Sequence, residues 1–127
     1  MFIQLDPASD VPIYEQLRNS IMEGIVRGDL KPGDVLPSVR SLAGDLSVNM
    51  HTVNKSYHEL EKKGIIRIVP KSGAVVEEFS KEDMTEDFLH QLSEALRPTL
   101  VESLIIGLSE EEIQQLIKKI IEDVKGD

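Results

Sequence analysis

Residues Leu36–Gly64 read LPSVRSLAGDLSVNMHTVNKSYHELEKKG, and the fold turns on how this stretch divides. Pro37-Ser38 predicts a helix start with Ser38 as the cap, because a serine oxygen accepts from a backbone donor that the first turn leaves free. Val39, Leu42, Ala43 and Leu46 then form one buried stripe, which leaves Arg40 on the exposed side. Ser47-Val48 makes a turn, and Asn49 is suited to cap the next helix while Val48 fills the angle between the two. At about 100° per residue, Ser56, Tyr57 and Leu60 lie within about 60° of Val53, whereas His51, Asn54, Lys55, His58 and Lys62 gather on the far side. Gly64 ends this helix, and Lys62-Lys63 in its last turn suit the helix dipole. Two helices about a tight turn, the second with a free polar face, make the pattern of a helix-turn-helix that meets a DNA groove.

Upstream, Leu30-Lys31-Pro32-Gly33-Asp34 has turn chemistry, and Leu36 returns the chain to the core. Asp10, Val11 and Pro12 predict the start of an earlier helix, with Asp10 accepting free backbone donors and Pro12 in the first turn. Ile13, Leu17, Ile21 and Ile25 give that helix an apolar face up to Gly28, and Gly24 within it points to close packing. Phe2–Leu5, stopped by Asp6-Pro7, reads as an edge strand or an arm.

Downstream, Ile65–Val69 and Ala74–Glu78 are β-branched runs around Pro70-Lys71-Ser72-Gly73, which predicts a hairpin tipped by Lys71 and Gly73, the wing of a winged helix. Lys71 is placed there to touch phosphate or a minor groove, although a basic hairpin tip standing alone is more often simply solvated. Ser80 with Asp83 predicts a capping box opening a further helix. Phe88, Leu92, Leu96, Leu100 and Leu104, with Leu89, Ile105 and Leu108, supply its wide apolar face, and Pro98 is expected to kink it. Ser109 and Glu112 repeat the capping pattern ahead of a last amphipathic helix carrying Ile113, Leu116, Ile117, Ile120, Ile121 and Val124. Such a helical hairpin has too little partner surface of its own. A second copy buries it, with Leu92, Leu96, Leu104, Leu108, Ile113, Leu116, Ile117 and Ile120 as the expected dimerisation seam. The expected fold is mainly α with a small β wing: a winged helix-turn-helix DNA-binding domain over residues 1–79, then a two-helix dimerisation tail over residues 80–127.

Composition narrows the function. A chain of 127 residues with 40% hydrophobic content supports one modest core and an appendage. Cysteine is absent, which excludes disulfide frameworks, thiolate zinc sites and thiol nucleophiles. The opening MFIQLDPASD lacks a basic head before an apolar run, and apolar runs such as Leu104-Ile105-Ile106 fall far short of the ~20 residues a membrane span needs, so a soluble cytoplasmic protein is expected. The net charge of -9 argues against a nucleic-acid partner until its distribution is considered. From Lys31 to Gly73 there are seven basic and four acidic residues, a local +3, whereas from Ser80 to the end five basic residues face twelve acidic ones, a local -7. The field that a partner meets is local.

Catalytic and metal readings have little support. His51 and His58 stand seven apart on one helix, not at the four-residue spacing that chelates a metal. Glu110-Glu111-Glu112 point to different sides of a helix and suit its positive end better than acid–base chemistry. No nucleophile elbow, phosphate-cradling glycine loop or HExxH occurs, so neither enzyme activity nor a cofactor is expected.

Taken in series, Pro12-Ile13-Tyr14-Glu15-Gln16-Leu17, the run LKPGDVLPSVRSLA from Leu30 to Ala43, Val48-Asn49-Met50-His51-Thr52-Val53 and the run ELEKKGII from Glu59 to Ile66 resemble the DNA-binding domain of GntR-family bacterial regulators. The resemblance covers roughly residues 11–79, and the short length, the PIYEQ opening and Gly107-Leu108-Ser109-Glu110-Glu111-Glu112 make the chain similar to the YtrA subfamily. It implies a homodimer on a two-fold operator, the third helix in the major groove with the wing beside it, and repression more than activation. It also implies control of a nearby transporter operon and leaves room for an unidentified small-molecule effector. The family's DNA-contacting arginine matches Arg40, contacts at the recognition-helix start carry over to Asn49, Met50, His51, Thr52 and Asn54, and the wing glycine to Gly73. With Ser38, Lys55 and Lys71 these complete the candidate DNA-binding set. Arg40 can fork onto guanine and Asn54 onto adenine, although an exposed Asn or Arg is usually no more than solvated surface. The chain departs from the family at Ser47, where glycine is common, at Met50 and Asn54, and in the wing at Val69-Pro70-Lys71. The competing class is a winged-helix module that binds a basic protein instead of DNA, and salt dependence separates the two.

Overall fold

The computed structural model describes residues 3–126, which fall into two compact units divided between Phe79 and Ser80. The first unit is built from α1 (Ile13–Arg27), β1 (Val35–Leu36), α2 (Val39–Leu46), α3 (Met50–Lys62), β2 (Ile66–Val69) and β3 (Gly73–Val76). Its core joins Leu17 and Ile21 of α1, Leu42 and Ala43 of α2, and Val53, Tyr57 and Leu60 of α3 to Leu30, Leu36, Ile66, Ala74 and Val76. The four-residue and three-residue spacings read from the sequence are therefore the inward faces of three packed helices.

Helix α1 starts later than its sequence suggests. Pro12 is the cap residue, in an extended conformation, and no side chain caps the helix; Asp10 is exposed and takes no part. The Gln16 side chain organises this entry instead. Its carbonyl oxygen accepts from the Asp6 N–H at 2.7 Å, and its amide donates to the carbonyls of Asp6 at 2.9 Å and Val11 at 2.8 Å. Residues 3–5 form no strand; Ile3 and Leu5 pack half-buried on the core, while Phe2 lies outside the described residues. Gly24 is buried against Leu30, at a distance where a methyl group would make ordinary contact.

The turn between α2 and α3 forms as the sequence predicts. The Ser38 hydroxyl accepts from the Ser41 N–H at 3.1 Å and opens α2. Leu42 and Ala43 are buried, whereas Val39 and Leu46 are only half-buried. Ser47 closes the helix in the left-handed conformation, with φ 56°, a geometry that glycine adopts at no steric cost and serine pays for with about 1–2 kcal/mol. The Asn49 side chain then accepts from the His51 N–H at 2.8 Å and starts α3.

The sheet contains a strand that two residues of sequence did not announce. Val35 and Leu36 pair with Val75 and Ala74, so β3 lies between β1 and β2 in an antiparallel sheet of order β1-β3-β2. Position 73 also corrects the sequence reading. Gly73 is not at the hairpin tip, which is Pro70–Ser72; it is buried in β3 opposite Val69, with φ 115°. A Cβ added there would lie 2.0 Å from the Leu36 carbonyl oxygen, so glycine is required for β1 and β3 to approach.

In the second unit, Ser80 and Asp83 do form a capping box, but it opens only a 3-10 turn over Lys81–Asp83. Met84 is extended, and α4 (Glu86–Ile106) begins behind Thr85, whose hydroxyl accepts from the Phe88 N–H at 3.1 Å. Two capping residues compete here, and the one abutting the longer apolar repeat starts the long helix. Helix α4 runs on through Pro98 and ends at Gly107 in the left-handed conformation. Ser109 and Glu112 make the second capping box, and α5 (Glu110–Lys125) follows. Among the described residues, no helix is long and apolar enough to cross a membrane.

Gly73→Ala should lower the stability of the first unit by more than about 2 kcal/mol, because a methyl group meets backbone and the positive φ strains any L side chain. Urea unfolding checks this, and a variant as stable as wild type would show that β1 does not approach β3 so closely.

Candidate nucleic-acid interface

The first turns of α2 and α3 open onto one concavity, lined by Val39, Asn49, Met50, His51 and Asn54. Both helices present their N-terminal, partially positive ends here, and no acidic side chain lines the surface. Its hydrogen-bonding capacity is partly committed. The Asn49 carbonyl oxygen serves the His51 N–H, which leaves its amide nitrogen to donate, and Asn54 keeps donor and acceptor exposed. Met50, with 45% of its surface exposed, is the apolar exception on this face of α3.

The other candidate residues divide by position. Arg40 is exposed on the first turn of α2, while Ser38 is half-buried and occupied as its cap. Thr52 is half-buried, with its backbone carbonyl 3.1 Å from the Ser56 hydroxyl oxygen. Lys55 is exposed but leans towards α1, with its ammonium 3.9 Å from the centre of the Tyr14 ring. Lys71 is exposed at the hairpin tip in a left-handed conformation, φ 68°, whereas Gly73 is buried behind it. Neither Val39 as part of this surface nor Tyr14 as the neighbour of Lys55 was legible in the sequence. Val39 belongs by periodicity to the buried stripe of α2, and the approach of Tyr14 to Lys55 spans two helices far apart in sequence.

Three of the four acids between Lys31 and Gly73 are engaged within the fold. Glu59 pairs with Arg18 of α1 at 2.6 Å, Glu61 accepts from the Ile68 N–H at 2.8 Å, and Asp34 accepts from the Lys31 N–H at 2.8 Å. These contacts hold carboxylates against α1, β2 and a turn instead of at the concavity. The orientation of α3 is set from behind. The Ser56 hydroxyl donates to the Tyr14 carbonyl at 2.7 Å, and the fully buried Tyr57 hydroxyl donates to the Pro37 carbonyl at 2.7 Å. Burial pushes the Tyr57 hydroxyl up to about 12 from its ordinary 10.0.

The apolar seam expected in the second unit lies on two helices and the turn between them. Leu92, Leu96 and Leu104 on α4 and Leu116, Ile117 and Ile120 on α5 are all exposed, and Leu108 and Ile113 are half-buried. Neither helix contains a buried residue.

A capped two-helix turn backed by α1 and flanked by a three-stranded sheet defines a winged helix-turn-helix protein. The chain belongs to the gntR family of bacterial regulatory proteins, whose family model matches residues 12–76. It is 40% identical over 124 residues to the HTH-type transcriptional repressor YtrA of Bacillus subtilis (strain 168), covering 98% of this chain and 95% of that protein. Its fold is similar to the crystal structure of a transcriptional antiterminator from Listeria monocytogenes EGD-e, with a TM-score of 0.89 and 29% identity over 100% of this chain and 95% of that one. It is also similar to the AraR DNA-binding domain solved in complex with operator ORX1, with a TM-score of 0.52 and 25% identity over 60% of this chain and 98% of that one. The chain is accordingly a transcription regulator and not an enzyme.

Tyr57→Phe should cost about 1 kcal/mol through the lost hydrogen bond to Pro37. Between pH 10.0 and about 12 the unfolded chain releases the Tyr57 proton while the folded chain keeps it, so this contribution is complete below that window and is lost as pH rises through it. Wild type should therefore lose more stability than Tyr57→Phe across the window, measured by denaturant unfolding; parallel curves for the two would place the hydroxyl in water.

Proposed function

We propose that the chain represses transcription in the cytoplasm by binding double-stranded operator DNA as a homodimer, each copy reading one half of a two-fold site. The observation that carries this reading is the shared concavity at the starts of α2 and α3, free of acids and lined in part by exposed Asn54 and His51, with Arg40 exposed in the first turn of α2. Arg40, Asn49, Met50, His51, Thr52 and Asn54 meet the major groove, Ser38 and Lys55 support them from the helix starts and the α1 side, and Lys71 reaches the backbone from the wing. Gly73 acts by letting the wing form. AraR bound to its operator and the repressor YtrA support the assignment by similarity.

The second unit supports the dimer. With Leu116 51% exposed and Leu92, Leu96, Leu104, Ile117 and Ile120 also open, a single copy leaves a wide apolar surface in water, and a second copy of the same hairpin is the occupant that satisfies both. Residues 80–127 are therefore the dimerisation domain and residues 1–79 the DNA-binding domain.

Arg40→Ala should lower operator affinity by about 10- to 100-fold at fixed salt with unchanged helix content, as a gel-shift titration and circular dichroism would show. Unaltered binding would remove Arg40 from the interface. Leu116→Lys places an uncompensated charge on the seam and should convert dimers to monomers in sedimentation velocity; a monomeric wild type would reject the dimer itself.

A further inference from the structure

Met50 is the first residue of α3, yet it takes no part in the core that Val53, Tyr57 and Leu60 of the same helix enter. Its side chain is open to solvent in the concavity that it lines together with Val39, the first residue of α2, which also packs on the core. Two apolar side chains therefore share a surface whose other walls are Asn49, His51 and Asn54. Among the groups that base pairs present in the major groove, the 5-methyl of thymine is the apolar one. The adenine paired to it offers an acceptor and a donor on the same edge, the pattern that a side-chain amide matches with two hydrogen bonds. Asn54 has both atoms free for this, whereas the Asn49 oxygen is held by the His51 N–H.

We propose that Val39 and Met50 form a seat for the 5-methyl group of a thymine in the bound duplex, with Asn54 hydrogen-bonding an adenine in the same concavity. This rests on the DNA-binding reading above and adds to it the chemical feature that the site selects. The seat distinguishes thymine from cytosine, which lacks the methyl group, and makes Met50 a specificity residue in place of a charged phosphate contact.

The test uses the full chain and a duplex selected by it from a random pool at fixed salt. Each thymine is replaced in turn by deoxyuridine, which removes the methyl group and keeps the pairing. Wild type should lose about four-fold in affinity at one thymine per half-site, the equivalent of one buried methyl group, and little at the others. Met50→Ala should bind thymine and deoxyuridine duplexes alike at that position, and Met50→Leu should keep the discrimination, since leucine restores the apolar wall. Circular dichroism matching wild type shows that Met50→Ala folds. Equal wild-type binding to every deoxyuridine duplex overturns the methyl seat while leaving DNA binding intact, as does Met50→Ala retaining the full discrimination. If no duplex is retained in a salt-dependent way, the DNA-binding reading fails and the seat fails with it.

Discussion

The hydrogen bond from the Tyr57 hydroxyl to the Pro37 carbonyl joins the parts of the first unit that must keep their mutual orientation. Pro37 separates β1 from the capped start of α2, so the bond ties α3 directly to that junction. Leu36, one residue earlier, pairs with Ala74 of β3, and its carbonyl faces Gly73 so closely that no side chain fits between them. Two consecutive residues thus touch α3, lead into α2 and anchor the sheet. Such a bond contributes only about 1 kcal/mol net, but breaking one partner leaves the other buried and unsatisfied. Among the described residues, every buried side-chain polar atom has a partner.

An acidic chain can still offer a surface suited to a polyanion, because charge acts over short distances in salt. Exposed charges further apart than roughly 8–10 Å are largely screened. The carboxylates of α3 are drawn to its back and end, by Arg18 on one side and the Ile68 N–H on the other. In the second unit many acids stand at helix starts, where they meet the positive end of the dipole: Glu86 and Asp87 on α4, and Glu110, Glu111 and Glu112 on α5. There the Ser109 N–H and hydroxyl hold the Glu112 carboxyl below the usual carboxylate range. The acidity of the tail is in this way part of how its helices begin.

The two units differ in how they meet their need for a core. Among the described residues, three helices and a sheet enclose twelve buried apolar residues in the first, a closed core of its own. Helices α4 and α5 are amphipathic and capped at both ends, yet bury nothing fully. Caps and propensity define where a helix runs, while most of its stability in water comes from covering an apolar face.

Much of this was decided locally and could be read from the chain. The helix at Met50–Lys62 follows from an asparagine cap, a 3.6-residue apolar repeat and a closing glycine, all within reach of one another along the backbone. The exposed candidates Arg40, Asn49, Met50, His51 and Asn54 were legible for the same reason, since the face opposite a buried stripe is free. Where two local signals competed, at Ser80 and Thr85, the sequence was ambiguous and the long helix began at the later cap. Only tertiary packing made a strand of Val35–Leu36, moved Gly73 from the tip of the wing into its sheet, turned Lys55 onto Tyr14 and brought Val39 into the same concavity as Met50. Each of these depends on contact between segments distant along the chain. Periodicity reports which side of an element is apolar, but the partner that arrives there is chosen by the packing of the whole unit.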